Sequence, residues 1–268
     1  MGIGVVESPF GGEALDEIRL RDSPLVRVLT QVRFPVLGTL RDGDALAVFG
    51  RALADDYPII RDERGVGFLI GPEGVAQGQN TEVIHRWVSG DDQWQVSLGS
   101  TFLALDTSAY VSRSGFCERF DTVLSAFTEA AKPPKFERVG VRYVNQIANP
   151  EHLAKLKDLV RPEVFGAMTI PEQFSVELAL SVCESQYEAG DQSLRVRWGS
   201  IPAGAVLDPS IPPAPVQSWV LDLDAYQTGS LGTDAGDLGD LTRRLAENAY
   251  RYFLWVVTPE FLTTFGGV

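Results

Sequence analysis

The chain has 268 residues, of which 44% are hydrophobic, 22% charged and 10% aromatic, which is the composition of a folded protein rather than a disordered one. Its 36 acidic and 23 basic residues give a net charge of −13. This charge excludes general binding to nucleic acid, because most of the surface would repel a phosphate backbone. Two interpretations stay open: a solvated acidic surface that maintains solubility, or an acidic face that docks a basic partner.

No apolar stretch reaches the roughly 18 to 20 residues that a membrane span needs, and the first twelve residues lack the basic and apolar regions of a signal peptide. We therefore expect no membrane association and a cytoplasmic location. The two cysteines, Cys117 and Cys183, are expected to remain thiols in that compartment.

The first 22 residues mix Gly, Ser, Pro and charged residues without a hydrophobic period, and they are predicted to form a loose N-terminal arm. Apolar and polar residues then alternate over residues 25–34, which predicts a half-buried strand. Apolar residues recur at helical spacing from Leu46 to Tyr57, which predicts a helix that ends before Pro58. Short strands are predicted next, over residues 65–70, 82–89, 94–99 and 101–107, and then a helix over 116–127.

A second series of elements follows Pro134. It opens with a strand whose apolar and polar residues again alternate, and it ends with a helix that is strongly apolar towards its C-terminus. The predicted elements are a strand over 136–147, a helix over 151–160, strands over 174–183, 194–198 and 219–224, and a helix over 238–257.

Each series consists of a strand, a helix, three or four strands and a helix, and each opening strand carries Val-Arg-aromatic, as Val32-Arg33-Phe34 and Val141-Arg142-Tyr143. This similarity predicts an internal duplication. We therefore predict an α+β fold whose halves, residues 23–135 and 136–268, pack as one unit and share a large curved antiparallel sheet with helices on one face. A single helix-grip-like domain is the alternative.

The two series differ at residues 199–218, where five prolines lie between two predicted strands. Connections of this length are uncommon in compact domains and are often functional. A proline-rich excursion over the surface is the other interpretation.

The sheet face opposite the helices is predicted to be polar, because strand parity directs a set of charged side chains away from the core. Such an array either grips carboxylate or phosphate groups through arginine forks or forms a ladder of cross-strand ion pairs. Its predicted members are Arg33, Arg142, Glu177, Arg195, Arg197, Asp222 and Asp224.

Catalytic and metal-binding signals are weak. Neither His85 nor His152 has a Cys, Glu or second His at metal-ligand spacing, and no nucleophile elbow or phosphate-binding loop is present. Asp222 and Asp224 would lie on one face of a strand, but only Glu177 is available to join them. We therefore predict no metal and no cofactor.

Several segments resemble one sporadically distributed prokaryotic family to which no activity is assigned. The most specific is Arg-x-Gly-x-Arg-Tyr-x-Asn at residues 138–145; the others are residues 24–26 with 32–35, 86–92, 221–224 and 253–260. The resemblance supplies no catalytic residues. The family's patchy distribution implies mobile genes, such as those of phage defence or toxin neutralisation.

Together these features favour a non-catalytic binding or adaptor protein with a protein partner, expected to be basic, over an enzyme. The family resemblance implies the neutralising or sensing component of a bacterial conflict system. The alternative is an enzyme or sensor that acts on a nucleotide or small phosphorylated ligand. Arg33, Arg142, Arg195 and Arg197 would then be its anion clamps.

Overall fold

A computed structural model describes residues 6–41, 43–71, 74–170, 174, 176–205 and 213–267. For residues 64–71 and 74–82 only the backbone is described. Within these residues the chain forms nine strands that pair in one sheet, antiparallel throughout. The strands are β1 (Leu25–Arg33), β2 (Ile59–Gly71), β3 (Gly74–Val88), β4 (Trp94–Leu98), β5 (Phe102–Thr107), β6 (Phe136–Ile147), β7 (Ser181–Ala189), β8 (Gln192–Ile201) and β9 (Ser218–Leu231).

The chain enters the sheet near its middle twice and returns from an edge each time. The strand order is β2-β3-β4-β5-β1-β6-β9-β8-β7, so β1 and β6 are central neighbours. After β1 the chain crosses to the edge strand β2 and returns through β3, β4 and β5. After β6 it crosses to the other edge strand, β7, and returns through β8 and β9. The predicted α+β class with a large antiparallel sheet is confirmed.

Two long helices begin at side-chain caps. Ser112 accepts a hydrogen bond from the Gly115 N–H at 3.2 Å, and Asp234 accepts one from the Asp237 N–H at 2.9 Å, which satisfies backbone donors of the first turn. No helix within the described residues is both long and apolar enough to cross a membrane. The helices are α1 (Gly38–Arg41), α2 (Asp44–Leu53), α3 (Arg113–Ala131), α4 (Pro150–Ala154), α5 (Leu156–Leu159), α6 (Ala235–Val256) and α7 (Pro259–Thr264), with 3-10 turns at Pro162–Val164 and Gly166–Thr169.

The core lies between α3, α6 and one face of the sheet. Phe116, Phe120 and Phe127 of α3 recur at helical spacing and are buried, and the Phe127 ring lies 4.8 Å from that of Phe34 at the end of β1. Leu245 of α6 is fully buried over the sheet. Each such side chain contributes ~1.5–3 kcal/mol through burial. Because alternate residues of a strand point to opposite faces of the sheet, burial of one set against the helices places the other set on the face that the helices leave uncovered.

The strand predicted over residues 174–183 is wrong in position. The hairpin is set instead by a two-residue turn at Gly190 and Asp191, where Gly190 has φ +61° and Ala189 pairs with Gln192. β7 is therefore the more polar segment 181–189, and residues 176–180 lie outside the sheet. Residues 171–173 and 175 lie outside the described part of the chain.

The helix predicted over residues 151–160 is divided in two. Lys155, with φ −104° and ψ 8°, ends α4 and begins the single turn of α5.

The loop predicted over residues 199–218 is shorter than predicted, because β8 extends to Ile201 and β9 begins at Ser218. Its residues 206–212 lie outside the described part, while Gln217 Nε2 donates to Ser200 Oγ at 2.9 Å.

The N-terminal arm, residues 6–22, runs over α6 towards the C-terminal residues. The Leu15 N–H donates to Glu247 Oε1 at 2.9 Å and the Ile18 N–H to Tyr250 Oη at 2.7 Å. Leu20 forms a bridge with Gly267. The arm thus covers part of the core by backbone contacts, with no helix of its own in its described residues.

Candidate functional site

The sheet face opposite α3 and α6 carries the arginine-rich site, which we call the arginine face. Alternation along β6, β8 and β9 places its side chains there, because the intervening residues Val141, Val196 and Leu223 are fully buried in the core. Its members are Arg33, Arg138, Arg142, Arg195, Arg197, Asp222 and Asp224.

Asp222 is held between arginines of the two neighbouring strands. Arg142 donates through Nε to Oδ1 at 2.7 Å and through Nη2 to Oδ2 at 2.9 Å, which is the two-pronged geometry of a strong guanidinium-carboxylate pair. Arg197, opposite Asp222 in the register, donates to Oδ2 through Nε at 2.9 Å and Nη2 at 2.5 Å. The Asp222 side chain is only 2% exposed.

Asp224 is held in the same way two residues further along β9. Arg138 Nη2 lies 2.9 and 3.1 Å from its two carboxylate oxygens, and Arg195 Nη2 lies 2.9 Å from Oδ2. Arg195 is directly opposite Asp224 in the register, whereas Arg138 is paired with Thr228. Arg138 therefore reaches along the sheet to its partner.

Gly140 gives Arg138 this path. A Cβ at Gly140 would lie 2.6 Å from Nη1 of Arg138, well inside contact distance. The guanidinium carbon of Arg138 lies 4.6 Å from the centre of the Tyr226 ring, a distance at which a cation is attracted to an aromatic face. The spacing Arg-x-Gly-x-Arg thus has a physical reason, since the glycine leaves room for the first arginine to lie across the strand.

The arginine face has a net positive charge although the protein is acidic. Four guanidinium groups contact two carboxylates and Arg33 lies beside them, so these seven residues carry three positive charges in excess. At the edge of the sheet, Glu184 and Glu188 of β7 lie on the same face, opposite Arg197 and Ser193 in the register. The Nε of Arg195 is buried and has no hydrogen-bond partner among the described residues. Arg33 is exposed, and its Nε donates to Gln31 Oε1 at 3.2 Å. Donors for a further anion therefore remain.

Arg33 and Arg195 line a hollow of about 410 Å³ on the arginine face. Arginine and tyrosine side chains form its walls, Gly140 lies among them, and Asp224 is its one carboxylate within the described residues. The hollow is lined by Leu29, Gln31, Arg33, Arg138, Gly140, Arg142, Arg195, Asp224 and Tyr226.

A second hollow of about 540 Å³ follows on the same face, over β1, β3, β4 and β5. Arg27 Nη2 donates to Asp106 Oδ1 at 2.7 Å, and Arg61 Nη2 lies 2.6 Å from Asp92 Oδ1. Burial raises the pKa of Asp106, while Arg27 and the Gln95 amide act in the opposite direction. Arg86, the third arginine of its lining, pairs with Glu63 at 2.9 Å. Charges here are matched in pairs, so this hollow lacks the positive excess of the first.

The predicted site residues fall into three groups. Arg142, Arg195, Arg197, Asp222 and Asp224 are brought together as a network, as strand parity predicts. Arg33 lines the same hollow without touching either carboxylate. Glu177 does not belong to the site, because it lies exposed in the segment before β7 rather than in a strand.

Arg138 and Tyr226 are site residues that the prediction omits. Parity gives the signal for both: Arg138 precedes Arg142 by four residues, and Tyr226 follows Asp224 by two.

The histidines take no part in the network. His85 Nδ1 lies 2.8 Å from Asp62 Oδ1, and the His152 ring packs 4.9 Å from that of Phe265. The described residues hold no group of three or more His, Cys, Asp or Glu placed to bind a metal.

No protein-family model matches the chain, and no curated protein matches it. Among solved structures, the chain is similar to the crystal structure of DynU16, a protein of the dynemicin biosynthetic locus. The identity is 11%, with 85% of this chain and 97% of that chain covered. The TM-score is 0.19, and this similarity carries no argument about fold or function.

Proposed function

We propose that the protein is a non-catalytic binding protein, an adaptor that recognises an anionic group of its protein partner through the arginine face. The observation that carries this proposal is the excess of guanidinium groups over carboxylates around one hollow. Arginine is suited to this role because its planar fork matches a carboxylate or phosphate and remains charged at all physiological pH values.

The state of the two carboxylates supports binding over catalysis. Asp222 accepts four hydrogen bonds from two arginines and is almost completely buried. A general acid or base must reach the reacting group, whereas these carboxylates hold guanidinium groups in fixed positions. They pre-organise the donors, which reduces the entropic cost of binding.

The biological setting is part of the same proposal. The resemblance to a patchily distributed family favours the neutralising or sensing component of a bacterial conflict system. The acidic remainder of the surface supports a partner with basic regions around the anionic group that the arginine face receives, because complementary charges steer association and suppress wrong partners.

The experiment is affinity capture of the tagged protein from its native host, with the eluate analysed by native mass spectrometry before and after nuclease treatment. We expect a stoichiometric protein partner that survives nuclease and is lost with Arg33→Glu. The matched control is Arg51→Glu, the same change at an exposed arginine of α2. Equal capture by both variants would place the partner elsewhere on the surface.

A second candidate is a sensor or enzyme for a nucleotide or small phosphorylated ligand. The supporting observation is the volume of the hollow, about 410 Å³, which falls in the range of small-molecule sites. The same native spectra separate the candidates: a chain carrying a small added mass, lost with Arg33→Glu, favours this one.

We also propose that the two halves of the sheet arose by duplication. Both follow the same path from a central strand to an edge and back. In both, an arginine of the opening strand binds an aspartate of the last strand to return, Arg27 with Asp106 and Arg142 with Asp222. This correspondence makes Arg27, rather than the Arg33 of the Val-Arg-aromatic match, the counterpart of Arg142. Superposition of β1–α3 on β6–α6 should align the strands in order, and failure to align β5 with β9 would reject it.

A further inference from the structure

We propose that the protein has a second binding site, on the helix-covered face of the sheet, for a small neutral ligand with an aromatic or aliphatic body and one hydrogen-bonding group. The site is a cavity of about 100 Å³ between β6, β9, α6 and the N-terminal arm. It is separate from the arginine face and does not depend on the function proposed for that face.

The walls of the cavity are mainly apolar. Tyr110, Tyr143, Tyr250 and Phe253 line it with aromatic rings; the first two meet edge to face at 5.8 Å and the last two stack at 6.3 Å between ring centres. Ala249 of α6 adds a small buried surface. Apolar walls with few polar groups are typical of sites for small organic molecules.

The hydroxyl of Tyr143 gives the cavity its polar contact. Tyr143 is 8% exposed, and its hydroxyl makes no hydrogen bond of good geometry among the described residues, although buried hydroxyls are nearly always paired. Its polar neighbour is the Tyr110 hydroxyl, which lies close enough to act on the pKa of Tyr143 but donates its own hydrogen to Glu17. The neighbouring hydroxyls are engaged: Tyr110 donates to Glu17 at 2.8 Å, and Tyr250 accepts from the Ile18 N–H. A ligand with one donor or acceptor would satisfy the remaining group.

The charges around the cavity are already balanced, which favours a neutral ligand. Glu17 accepts hydrogen bonds from the backbone N–H of Arg113 at 2.8 and 2.9 Å in addition to that of the Tyr110 hydroxyl. Burial raises the pKa of Tyr143, and the charges of Arg113 and Glu17 act on it in opposite directions, so the two charges offset each other at the cavity. Arg19, the other charged residue of the wall, is exposed. A charged ligand would upset this balance and would also lose its hydration on entering a mainly apolar cavity.

The arm forms one wall of this site. Residues 15–20 are held by backbone contacts to Glu247, Tyr250 and Gly267 and by the Glu17 side chain, which accepts from Tyr110 and Arg113. An apolar cavity of about 150 Å³ binds benzene, so this cavity of about 100 Å³ admits a molecule of one ring only if the arm is displaced outward by the ligand, which is part of the proposal. The sequence Arg-x-Gly-x-Arg-Tyr-x-Asn thus directs alternate residues to two sites, since Tyr143 and Asn145 both line this cavity.

Phenol and benzene test the proposal as a matched pair of probes. Each is titrated into the full chain and followed by saturation-transfer NMR, with wild type, Tyr143→Phe and Ala249→Leu. We expect wild type to bind phenol more tightly than benzene. Tyr143→Phe should weaken phenol about fivefold, as expected for one neutral hydrogen bond, and leave benzene unchanged. Ala249→Leu should abolish binding of both, whereas Ala47→Leu, at an exposed position of α2, should not.

Three results would overturn the proposal. One is the absence of phenol binding to wild type, which would leave the cavity to water. Another is an equal effect of Tyr143→Phe on phenol and benzene, since the hydroxyl would then not contact the ligand. The third is binding that persists in Ala249→Leu. If that variant does not fold, the comparison of the two probes in Tyr143→Phe decides the question.

Discussion

Gly140 is the position where one added methyl group should disturb the arginine face selectively. Its Cβ would lie 2.6 Å from Nη1 of Arg138, so Gly140→Ala is expected to displace that flexible side chain from Asp224. We expect a loss of about 1 kcal/mol in unfolding free energy, because Arg195 still pairs with Asp224. Urea denaturation measures it. Gly90→Ala, which meets no atom within 4 Å, is the control, and equal losses in both variants would contradict the account.

Asp222 is expected to be the most costly carboxylate to neutralise. Asp222→Asn removes the negative charge that the guanidinium groups of Arg142 and Arg197, 13% and 19% exposed, both contact. Breaking a buried pair in this way costs about 3–5 kcal/mol. The control is Asp240→Asn, where the side chain is 70% exposed and 3.5 Å from its partner, and where about 0.5 kcal/mol or less is expected. A loss below 1 kcal/mol for Asp222→Asn in urea denaturation would show that the network is not held by charge.

The two cysteines should differ in reactivity. Burial raises the pKa of the Cys117 thiol to about 11, so at pH 8 almost none of it is thiolate, and the residue is inaccessible in α3. Cys183 is partly exposed on the edge strand β7. Iodoacetamide at pH 8 should therefore alkylate Cys183 first, as peptide mass spectrometry would show, and both residues should react in denaturant. Equal rates in the folded protein would contradict the burial of Cys117.

The pairing of β7 with β8 depends on Gly199, because the backbone of β7 passes too close to this position for a side chain. Gly199 has φ +148°, and a Cβ there would lie 1.9 Å from the Ser181 carbonyl oxygen, which a rigid strand cannot avoid. Gly199→Ala should cost about 2–4 kcal/mol and increase hydrogen exchange in β7. The comparison is Gly232→Ala, with no atom within 4 Å. Unchanged exchange in β7 would mean that the edge strand is not held as described.

The sequence predicts some elements better than others for physical reasons. The bounds of β6, residues 136–147, are predicted correctly, because Pro134 and a clear alternation define a strand buried on one face. β7 is misplaced because the apolar alternation at residues 176–180 lies outside the sheet, while the hairpin turn at Gly190 pairs a more polar segment. An edge strand has a weak pattern, and its register follows from the turn.

The same distinction applies to the site. Parity predicts that Arg142, Arg197 and Asp222 share a face, and they form one network. Parity gives no information on how far a side chain reaches along a strand, so the contact of Arg138 with Asp224 across Gly140 was not predictable. Glu177 was wrongly included because its strand was misplaced.

In the whole molecule, the topology of the sheet determines how charge is distributed between its two faces. A chain with net charge −13 concentrates arginines on one sheet face, held by two buried aspartates. Such a local field attracts anionic groups and is screened by salt. The opposite face contains the core and the cavity beneath the arm, so the sheet separates two surfaces of different chemistry.

Covalent labelling of arginine shows whether the arginine face contacts the partner. The protein captured from its host and the same protein freed of its partner are treated with phenylglyoxal, and labelled peptides are quantified by mass spectrometry. We predict that Arg33 and Arg195 are protected in the captured complex, while the exposed Arg51 of α2 is labelled equally in both samples. Equal labelling of Arg33 and Arg195 with and without the partner would contradict such contact.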